Sequence, residues 1–352
     1  MQIAVFLPNW LGDLTMATPA LRAMRRHYGR DAKIVGILRP YLTDILGGTD
    51  WFDELWHFDP RSKDRSIHGW TLAKRMRREG FDAAVLLTNS LRTAIIAWCG
   101  GAKSRVGYVR YGRGPLLTEK LEPQRIGREI LPEPMVETYL KIARAVGCGD
   151  ESPCLELRTT DTDEISADVV FRKLDLRRDG RIVLLNSSGA YGGAKLWPVE
   201  SFGELARRIA RSADHDVLVM CGPKERDIAR RIVEIAGCDR VFSMADQPLD
   251  LGTAKACIRR GNLMVSTDSG PRHVASALGL PVVALYGPML PIWSENPTQT
   301  AVNLVLDLPC VGCHQRTCPL GHHRCMRDLT VDRVFEESLK ILNAPQSHLE
   351  AA

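Results

Sequence analysis

The chain has 352 residues, too many for one ordinary core at roughly 150 residues per domain, so two domains of similar size are expected. With 45% hydrophobic and 25% charged residues, and no apolar run of the ~18 residues that a membrane span needs, the composition excludes a disordered or membrane-spanning protein. A net charge of +5 is modest, and no nucleic-acid partner is expected.

The N-terminus reads Met1, Gln2 and then a short apolar run, without a basic stretch or a small-residue cleavage site, which predicts no secretory signal and a cytoplasmic protein. In that compartment the 10 cysteines are expected to be reduced thiols; six are scattered among apolar segments like small core residues, and only the last four cluster.

In chain order, short apolar runs alternate with segments of helical period: a strand over residues 2–7 and a helix over 19–28, a strand over 33–38 and a helix over 41–46, a strand over 83–87 and a helix over 91–98. This is the rhythm of a parallel sheet covered on both faces. The first strand runs into "LPNWLGD", where Gly12 is expected to let the backbone turn tightly and Asp13 opens a helix. From this stretch alone Asp13 reads equally as a helix cap and as a carboxylate delivered to the carboxyl edge of the sheet, where ligands of such folds bind. Arg61, Lys63 and Arg65 fall in a polar loop and point to an anionic partner, whereas the basic run from Lys74 to Arg78 reads as a solvated helix face.

Residues 110–134 are rich in glycine, proline and charge, a helix follows over 135–146, and a polar stretch from Gly147 starts a linker. Strands resume at residues 181–186, 216–221, 262–266 and 281–286, with helices between them. The second half thus repeats the architecture of the first, which predicts an α/β protein of two doubly wound parallel-sheet domains facing across a cleft. The last helix is expected over residues 331–342, before a tail from 345 to 352 that reads as frayed.

Three stretches of the second half carry chemistry. In "STDSGPRHVASALGLPVVALYGP", Asp268 or Ser269 can cap the helix that follows a strand, and Pro271 suits its first turn. Gly270 allows close approach, and with His273 the helix start forms an anion site suited to a diphosphate; a capped helix without a ligand satisfies the same residues. In "NSSGAYGGAKLWP", glycines after a strand can wrap a phosphate and Lys195 adds a point charge, although an ordinary exposed loop fits equally well. Neither a P-loop nor a G-x-G-x-x-G fingerprint is present, which disfavours ATPase and dehydrogenase chemistry. In "CGPKERD", Glu225 in the first turn of a helix can bind ribose hydroxyls or simply serve the helix dipole.

Taken together, "LPNWLGD", "LLTNSLRTAIIAWCGGAKSRVGY", "MVETYL", "GAYGGAKLWP" and the 266–288 stretch resemble, in order and spacing and over nearly the whole chain, the ADP-heptose:lipopolysaccharide heptosyltransferases of glycosyltransferase family 9. Asn89 with Ser90, residues 135–140 and the GxAKxWP form are more similar to the heptosyltransferase II branch than to I. The resemblance implies a GT-B fold of two Rossmann-like domains: an acceptor domain over residues 1–160, an ADP-heptose domain over 161–330, and a closing helix and tail over 331–352 that cross back to the first domain. It implies Asp13 as catalytic base and Lys195 as the lysine on the donor phosphates. Gly12, Glu225 as the ribose acid, and Thr267, Asp268, Ser269, Gly270 and His273 would complete the donor site. Arg272 departs from the pattern, since related transferases often carry an apolar residue there; it reads either as a further phosphate contact or as solvent-facing. Arg61, Lys63, Arg65, Arg92 and Arg105 match a basic acceptor region.

The same resemblance implies an inverting enzyme acting on the heptosyl-Kdo2-lipid A inner core, peripheral to the cytoplasmic face of the inner membrane, monomeric and without a required cofactor. Heptosyltransferase I, another GT-B transferase with a different acceptor, and an inactive nucleotide-sugar binding protein are the alternatives. Cys310, Cys313, Cys318 and Cys325 read C-x2-C-x4-C-x6-C, which admits a structural zinc, but the second pair lacks tight C-x2-C spacing, so reduced thiols in an irregular loop are favoured.

Overall fold

The computed structural model describes residues 1–127, 129–177, 179–189 and 192–344. Ala190 and Tyr191 of the glycine-rich loop, and the tail expected to fray, lie outside the described residues. The chain divides into two units, Met1–Leu157 with Ile292–Pro297, and Arg158–Pro291 with the chain from Thr298 onward.

In the first unit the chain runs β1 (Gln2–Phe6), α1 (Leu11–Met16), α2 (Thr18–Tyr28), β2 (Lys33–Leu38), β3 (Glu54–His57), α3 (Gly69–Glu79), β4 (Ala83–Leu86), α4 (Leu91–Cys99), β5 (Ser104–Tyr108) and β6 (Glu119–Leu121). A small antiparallel hairpin, β7 (Arg125–Ile126) and β8 (Glu129–Ile130), precedes α5 (Met135–Ala145). Six strands form one parallel sheet in the order β3-β2-β1-β4-β5-β6. Strands such as "KIVGIL" are continuous apolar runs because both faces of the sheet are covered. On one face Phe6, Ile37, Trp56, Leu72, Met76 and Ile96 are among the side chains that close the core. The expected linker is extended from Glu151 to Thr160, and its first part is clamped to α2: Arg22 donates to the Cys154 and Ser152 carbonyls and pairs with Glu151 and Glu156.

The second unit runs α6 (Asp161–Lys173), β9 (Ile182–Asn186), α7 (Val199–Ser212), β10 (Asp216–Met220), α8 (Arg226–Ala236), β11 (Val241–Ser243), α9 (Leu251–Arg259), β12 (Leu263–Thr267), α10 (Gly270–Ala277), β13 (Val282–Leu285) and β14 (Ala301–Leu304), then α11 (Arg324–Arg327) and α12 (Val331–Leu342). Its sheet, again six parallel strands, has the corresponding order β11-β10-β9-β12-β13-β14. The expected repetition of one architecture in both halves is therefore observed. Helix α6 has no counterpart in the sequence reading; it starts on a capping box in which Asp163 N donates to Thr160 Oγ1 at 3.2 Å and Thr160 N donates to Asp163 Oδ2 at 2.9 Å.

Two boundaries differ from expectation. The division falls after Leu157 rather than 160, and Ile292–Pro297 groups with the first unit, where Asn296 Nδ2 donates to the Pro153 carbonyl at 2.7 Å. Helix α12 groups with the second unit and packs on α7 there. The physical reason lies in its contacts: buried Trp197 donates from Nε1 to the Leu329 carbonyl at 2.9 Å, and Arg208 pairs with Asp332 and lies over the Phe335 ring. Among the described residues no helix is long and apolar enough to cross a membrane.

Candidate active site

In each sheet the strand order reverses once, between β1 and β4 in the first unit and between β9 and β12 in the second. At such a point the connections leave in opposite directions and open a crevice at the carboxyl ends of the strands. The predicted residues gather at these two places.

In the first unit, β1 leads through residues 7–10 into α1. The loop is held from outside, because Arg39 Nε donates to Asn9 Oδ1 at 3.1 Å and the Tyr41 hydroxyl donates to the Asn9 carbonyl at 2.5 Å. Helix α1 starts at Leu11 with Trp10 in the cap position, so Asp13 is the third residue of the first turn and not the cap. Gly12 likewise has helical backbone inside α1, and the tight turn anticipated for it does not occur. The half-buried Asp13 carboxylate accepts a hydrogen bond from the hydroxyl of Tyr139 on α5. Burial, and then the Asp13 charge, hold that phenol well above its ordinary value, so Tyr139 is a permanent donor. Sequence reasoning noted the "MVETYL" stretch but gave Tyr139 no role; 126 positions separate it from Asp13, and no local pattern joins them.

Across the same reversal, Asn89 is fixed by Arg113, a fully buried side chain that sequence reasoning also missed. Arg113 Nη2 donates to Asn89 Oδ1 at 3.2 Å, Nε donates to the Tyr108 carbonyl at 2.8 Å, and Nη1 donates to the Thr88 carbonyl. Burial, with Arg110 nearby, lowers its pKa to about 10, still charged at neutral pH. The only hint was Gly107, where a Cβ would stand 2.9 Å from Arg113 Nη2. Of the basic acceptor candidates, Arg61, Lys63, Arg65 and Arg92 are exposed. Arg105 is not available in the same way: its Nε donates to the Leu116 carbonyl at 2.6 Å and its Nη1 to the Ala102 carbonyl at 2.5 Å, so it braces the start of β5.

In the second unit, the loops after β9 and β12 bring Lys195 to the start of α10. Lys195 Nζ donates to Asp268 Oδ2 at 2.6 Å and to the Asp268 carbonyl at 2.9 Å. Arg272 is buried and not solvent-facing; its Nε meets Asp268 Oδ1 at 3.3 Å, and its guanidinium lies 5.3 Å from the Tyr286 ring centroid. Burial opposes the Asp268 charge, yet Arg272 and then Lys195 outweigh it and hold the carboxyl below its ordinary range. Ser269 occupies the cap position of α10 but makes no capping bond, because its Oγ accepts from Asn186 Nδ2 at 2.7 Å. Asn186 also donates to Ser266 Oγ at 2.8 Å, and Thr267 Oγ1 donates to the Ser188 carbonyl at 2.6 Å. The helix start therefore keeps its backbone donors for a ligand. Around it Ser187 Oγ, Arg272 Nη2 and His273 Nδ1 are buried polar atoms without a hydrogen-bond partner among the described residues.

Glu225 differs in detail from expectation. It occupies the cap position of α8, ahead of the helix, and its Oε2 accepts from Gly222 N at 2.8 Å, leaving the rest of a half-buried carboxylate at the end of β10.

The cysteine segment packs against the Lys195 loop. Ala194 N donates to the Arg316 carbonyl at 3.1 Å, the His323 Nε2 lies 2.7 Å from the Ala194 carbonyl, and a Cβ on Gly192 would collide with the Arg316 carbonyl. All four clustered cysteines are free thiols. The His323 N–H donates to Cys318 Sγ at 3.4 Å and, with neighbouring amides, lowers that thiol; burial and then Cys310, Cys313 and Cys318 raise Cys325. Among the described residues no group of three or more His, Cys, Asp or Glu side chains is placed to hold a metal ion.

The profile of Glycosyltransferase family 9 (heptosyltransferase) matches residues 69–324. Lipooligosaccharide heptosyltransferase 2 of Campylobacter jejuni is 26% identical, covering 99% of this chain and all of that protein. Lipopolysaccharide heptosyltransferase 2 of Escherichia coli is 25% identical over 96% of this chain and 97% of its own. The solved structure of the E. coli ADP-heptose lps heptosyltransferase II superposes with a TM-score of 0.78 at 22% identity, covering 97% of this chain and 98% of the other, which shows the same fold. The chain belongs to glycosyltransferase family 9, the heptosyltransferases.

His273 supplies a check on the electrostatics of the donor loop. Burial first, and then Arg272 with Lys195, push its imidazole well below the ordinary value against the opposing pull of Asp268. Because the unfolded chain takes up this proton near the ordinary value of about 6.5 and the folded protein does not, the contribution of the neutral ring to stability falls as pH drops through that region. In NMR titration of the ligand-free protein the His273 ring signals are expected to stay constant from pH 8 to pH 5.5; a midpoint near 6.5 would show that the ring is solvated and the cluster open.

Proposed function

We propose that the protein transfers L-glycero-D-manno-heptose from ADP-heptose to heptosyl-Kdo2-lipid A, in the assembly of the lipopolysaccharide inner core, with inversion at the anomeric carbon. The observation that carries this reading is the start of α10, where Lys195 and Arg272 flank Asp268 and buried donors stand beside uncapped helix amides. That chemistry suits a diphosphate. The full-length relatives that act as heptosyltransferase 2 support the sugar and the acceptor.

In this mechanism Asp13 removes the proton from the acceptor hydroxyl as its oxygen attacks the anomeric carbon, and the bond to the ADP oxygen breaks on the opposite face. The electron pair leaves with ADP. Lys195 and the α10 amides take up the charge that grows on the diphosphate, and Glu225 holds ribose hydroxyls. No metal is required, and the four clustered cysteines serve as packed thiols; stoichiometric zinc in protein purified without chelators would overturn that last point. The enzyme works at the cytoplasmic face of the inner membrane, where its lipid-anchored acceptor is made.

The deciding experiment is turnover with ADP-heptose against heptosylated and non-heptosylated Kdo2-lipid A. Product from the heptosylated acceptor supports the reading, and product only from the other reassigns the enzyme to the preceding transfer. Asp13→Asn should lose about 10²-fold or more in kcat while keeping its fold and its affinity for ADP-heptose, and Lys195→Ala should also lose about 10²-fold in kcat, with Arg272 still pairing Asp268. Near-normal turnover in either folded variant removes that residue from the mechanism.

Tyr139→Phe tests the support of the base separately. A hydrogen bond to a carboxylate favours its charged form, so deleting the donor should move the acid limb of the pH–rate profile upward and leave donor binding unchanged. An unmoved limb would limit Tyr139 to packing.

A further inference from the structure

The outward face of α4 breaks the usual pattern of a surface helix. Thr93, Ala94, Ile96 and Ala97 turn inward, and the opposite side presents Leu91, Ile95 and Trp98 at i, i+4 and i+7, exposed by 41%, 42% and 55%. A surface helix normally turns charge outward, and here Arg92 is the sole charged residue of the helix. Alongside lies α3, pressed so close that a Cβ on Gly69 would stand 2.9 Å from Ile96 Cδ1 and one on Gly100 would stand 2.8 Å from Met76 Cβ. The residue after Gly69 is Trp70, 67% exposed and the most exposed tryptophan of the described residues. Two tryptophans, an isoleucine and a leucine are thus exposed on two helices packed against each other. Isolated exposed apolar residues are ordinary; four on two adjoining helices form a patch.

The charge left unpaired around the patch is mainly positive. Lys63 and Arg65 lie on the segment leading into α3, which the Thr71 hydroxyl ties to the helix through the Arg65 carbonyl at 3.0 Å. Lys74, Arg77 and Arg78 follow on α3, and Arg92 begins α4. All six are exposed, and none forms an ion pair among the described residues. Carboxylates nearby are taken: Asp59 by Arg39, Glu54 by Lys33 and Arg75, Glu79 by Lys33, Asp82 by Lys103. Asp64 caps its own turn through Ser66 N. The Lys74 ammonium rests 5.7 Å from the Trp70 ring centroid, so cation and aromatic ring present together.

We propose that this face of α3 and α4 docks the protein on an anionic phospholipid bilayer, with Trp70 and Trp98 at headgroup depth, Leu91 and Ile95 at the acyl boundary, and the unpaired cations on lipid phosphates. Amphipathic rings favour the interfacial layer, and each basic residue near an anionic surface adds attraction that falls away with salt. A protein partner of acidic surface would match the cations but not a stripe ringed by tryptophan, and a second copy of this chain would bring like charge against like charge. The proposal deepens the reading of a lipid-anchored acceptor without depending on which sugar is moved.

The test is co-sedimentation of the full chain with large vesicles of phosphatidylethanolamine and phosphatidylglycerol, beside vesicles of phosphatidylcholine alone. The wild type should bind the anionic vesicles at low salt, release at least five-fold with 0.5 M salt, and ignore the neutral ones. A Trp70→Ala, Trp98→Ala double variant should partition at least ten-fold less, and Arg77→Gln with Arg78→Gln should lose binding together with part of the salt dependence. All four side chains are exposed, so circular dichroism should be unchanged. Turnover on a deacylated, water-soluble acceptor reads the chemistry separately: it should be retained by the Trp70→Ala, Trp98→Ala variant, and its absence in the wild type would count against the proposed function and not against docking. Failure of the wild type to bind anionic vesicles, or equal binding by the tryptophan variant, overturns the docking proposal. So does a dimer in solution that the tryptophan variant abolishes while vesicle binding is absent.

Discussion

A buried carboxylate cannot stay ionised unless it is compensated, and in the second unit Asp268 is compensated twice, by Lys195 and by Arg272. With His273 held neutral, the group carries one positive charge more than it needs. The arrangement of the reversal follows from that surplus. Lys195 must come over from the loop after β9, Arg272 must lie in the first turns of α10, and Asn186 must draw Ser269 away from capping the helix. The cationic residue at position 272 is therefore accounted for: it shares Asp268 with Lys195. If the lysine leaves the carboxylate for a diphosphate, Asp268 does not become a lone buried charge.

The first unit applies the same geometry to the opposite sign. Its strand order reverses at the corresponding place, and there the chain sets a carboxylate, Asp13, against a phenol too buried to ionise. One topology thus sets a carboxylate in one unit and a cluster of cations in the other, through different residues at the carboxyl ends of the strands. The two sites differ in the side chains that converge on them, Tyr139 in one and Lys195 with Arg272 in the other.

Much of this was legible in the sequence, but unevenly. Central strands such as β2 and β12, and helices such as α2 and α12, stand out because burial on both faces or on one stripe imposes an apolar period. The edge strands β3, β11 and β14 are short and half-covered, so their apolar signal is weak, and α6 announces itself only through the Thr160 and Asp163 box. The candidate donor residues were readable one by one, since they fall in stretches with glycine or proline that follow strands. Their contacts were not. Lys195 meets Asp268 across 73 positions, and neither Tyr139 nor Arg113 carries a local motif, because their importance comes from burial next to a distant partner. Arg105 shows the converse: a basic residue in a basic region, spent on backbone carbonyls.

The clasp between the cysteine segment and the Lys195 loop has a thermodynamic meaning. A glycine-rich loop is flexible, and ordering it around a ligand costs about 1–2 kcal/mol of backbone entropy for each residue fixed. Here Ala194 is held from both sides, through its amide by the Arg316 carbonyl and through its carbonyl by the His323 ring, and Gly192 leaves room for the approach. Part of that entropy is already lost when the chain folds, before any donor arrives. Preorganisation of this kind leaves more of the binding energy available for the transition state. The irregular segment after β14 is thus a splint for the lysine, and its worth to the enzyme lies in the disorder it removes.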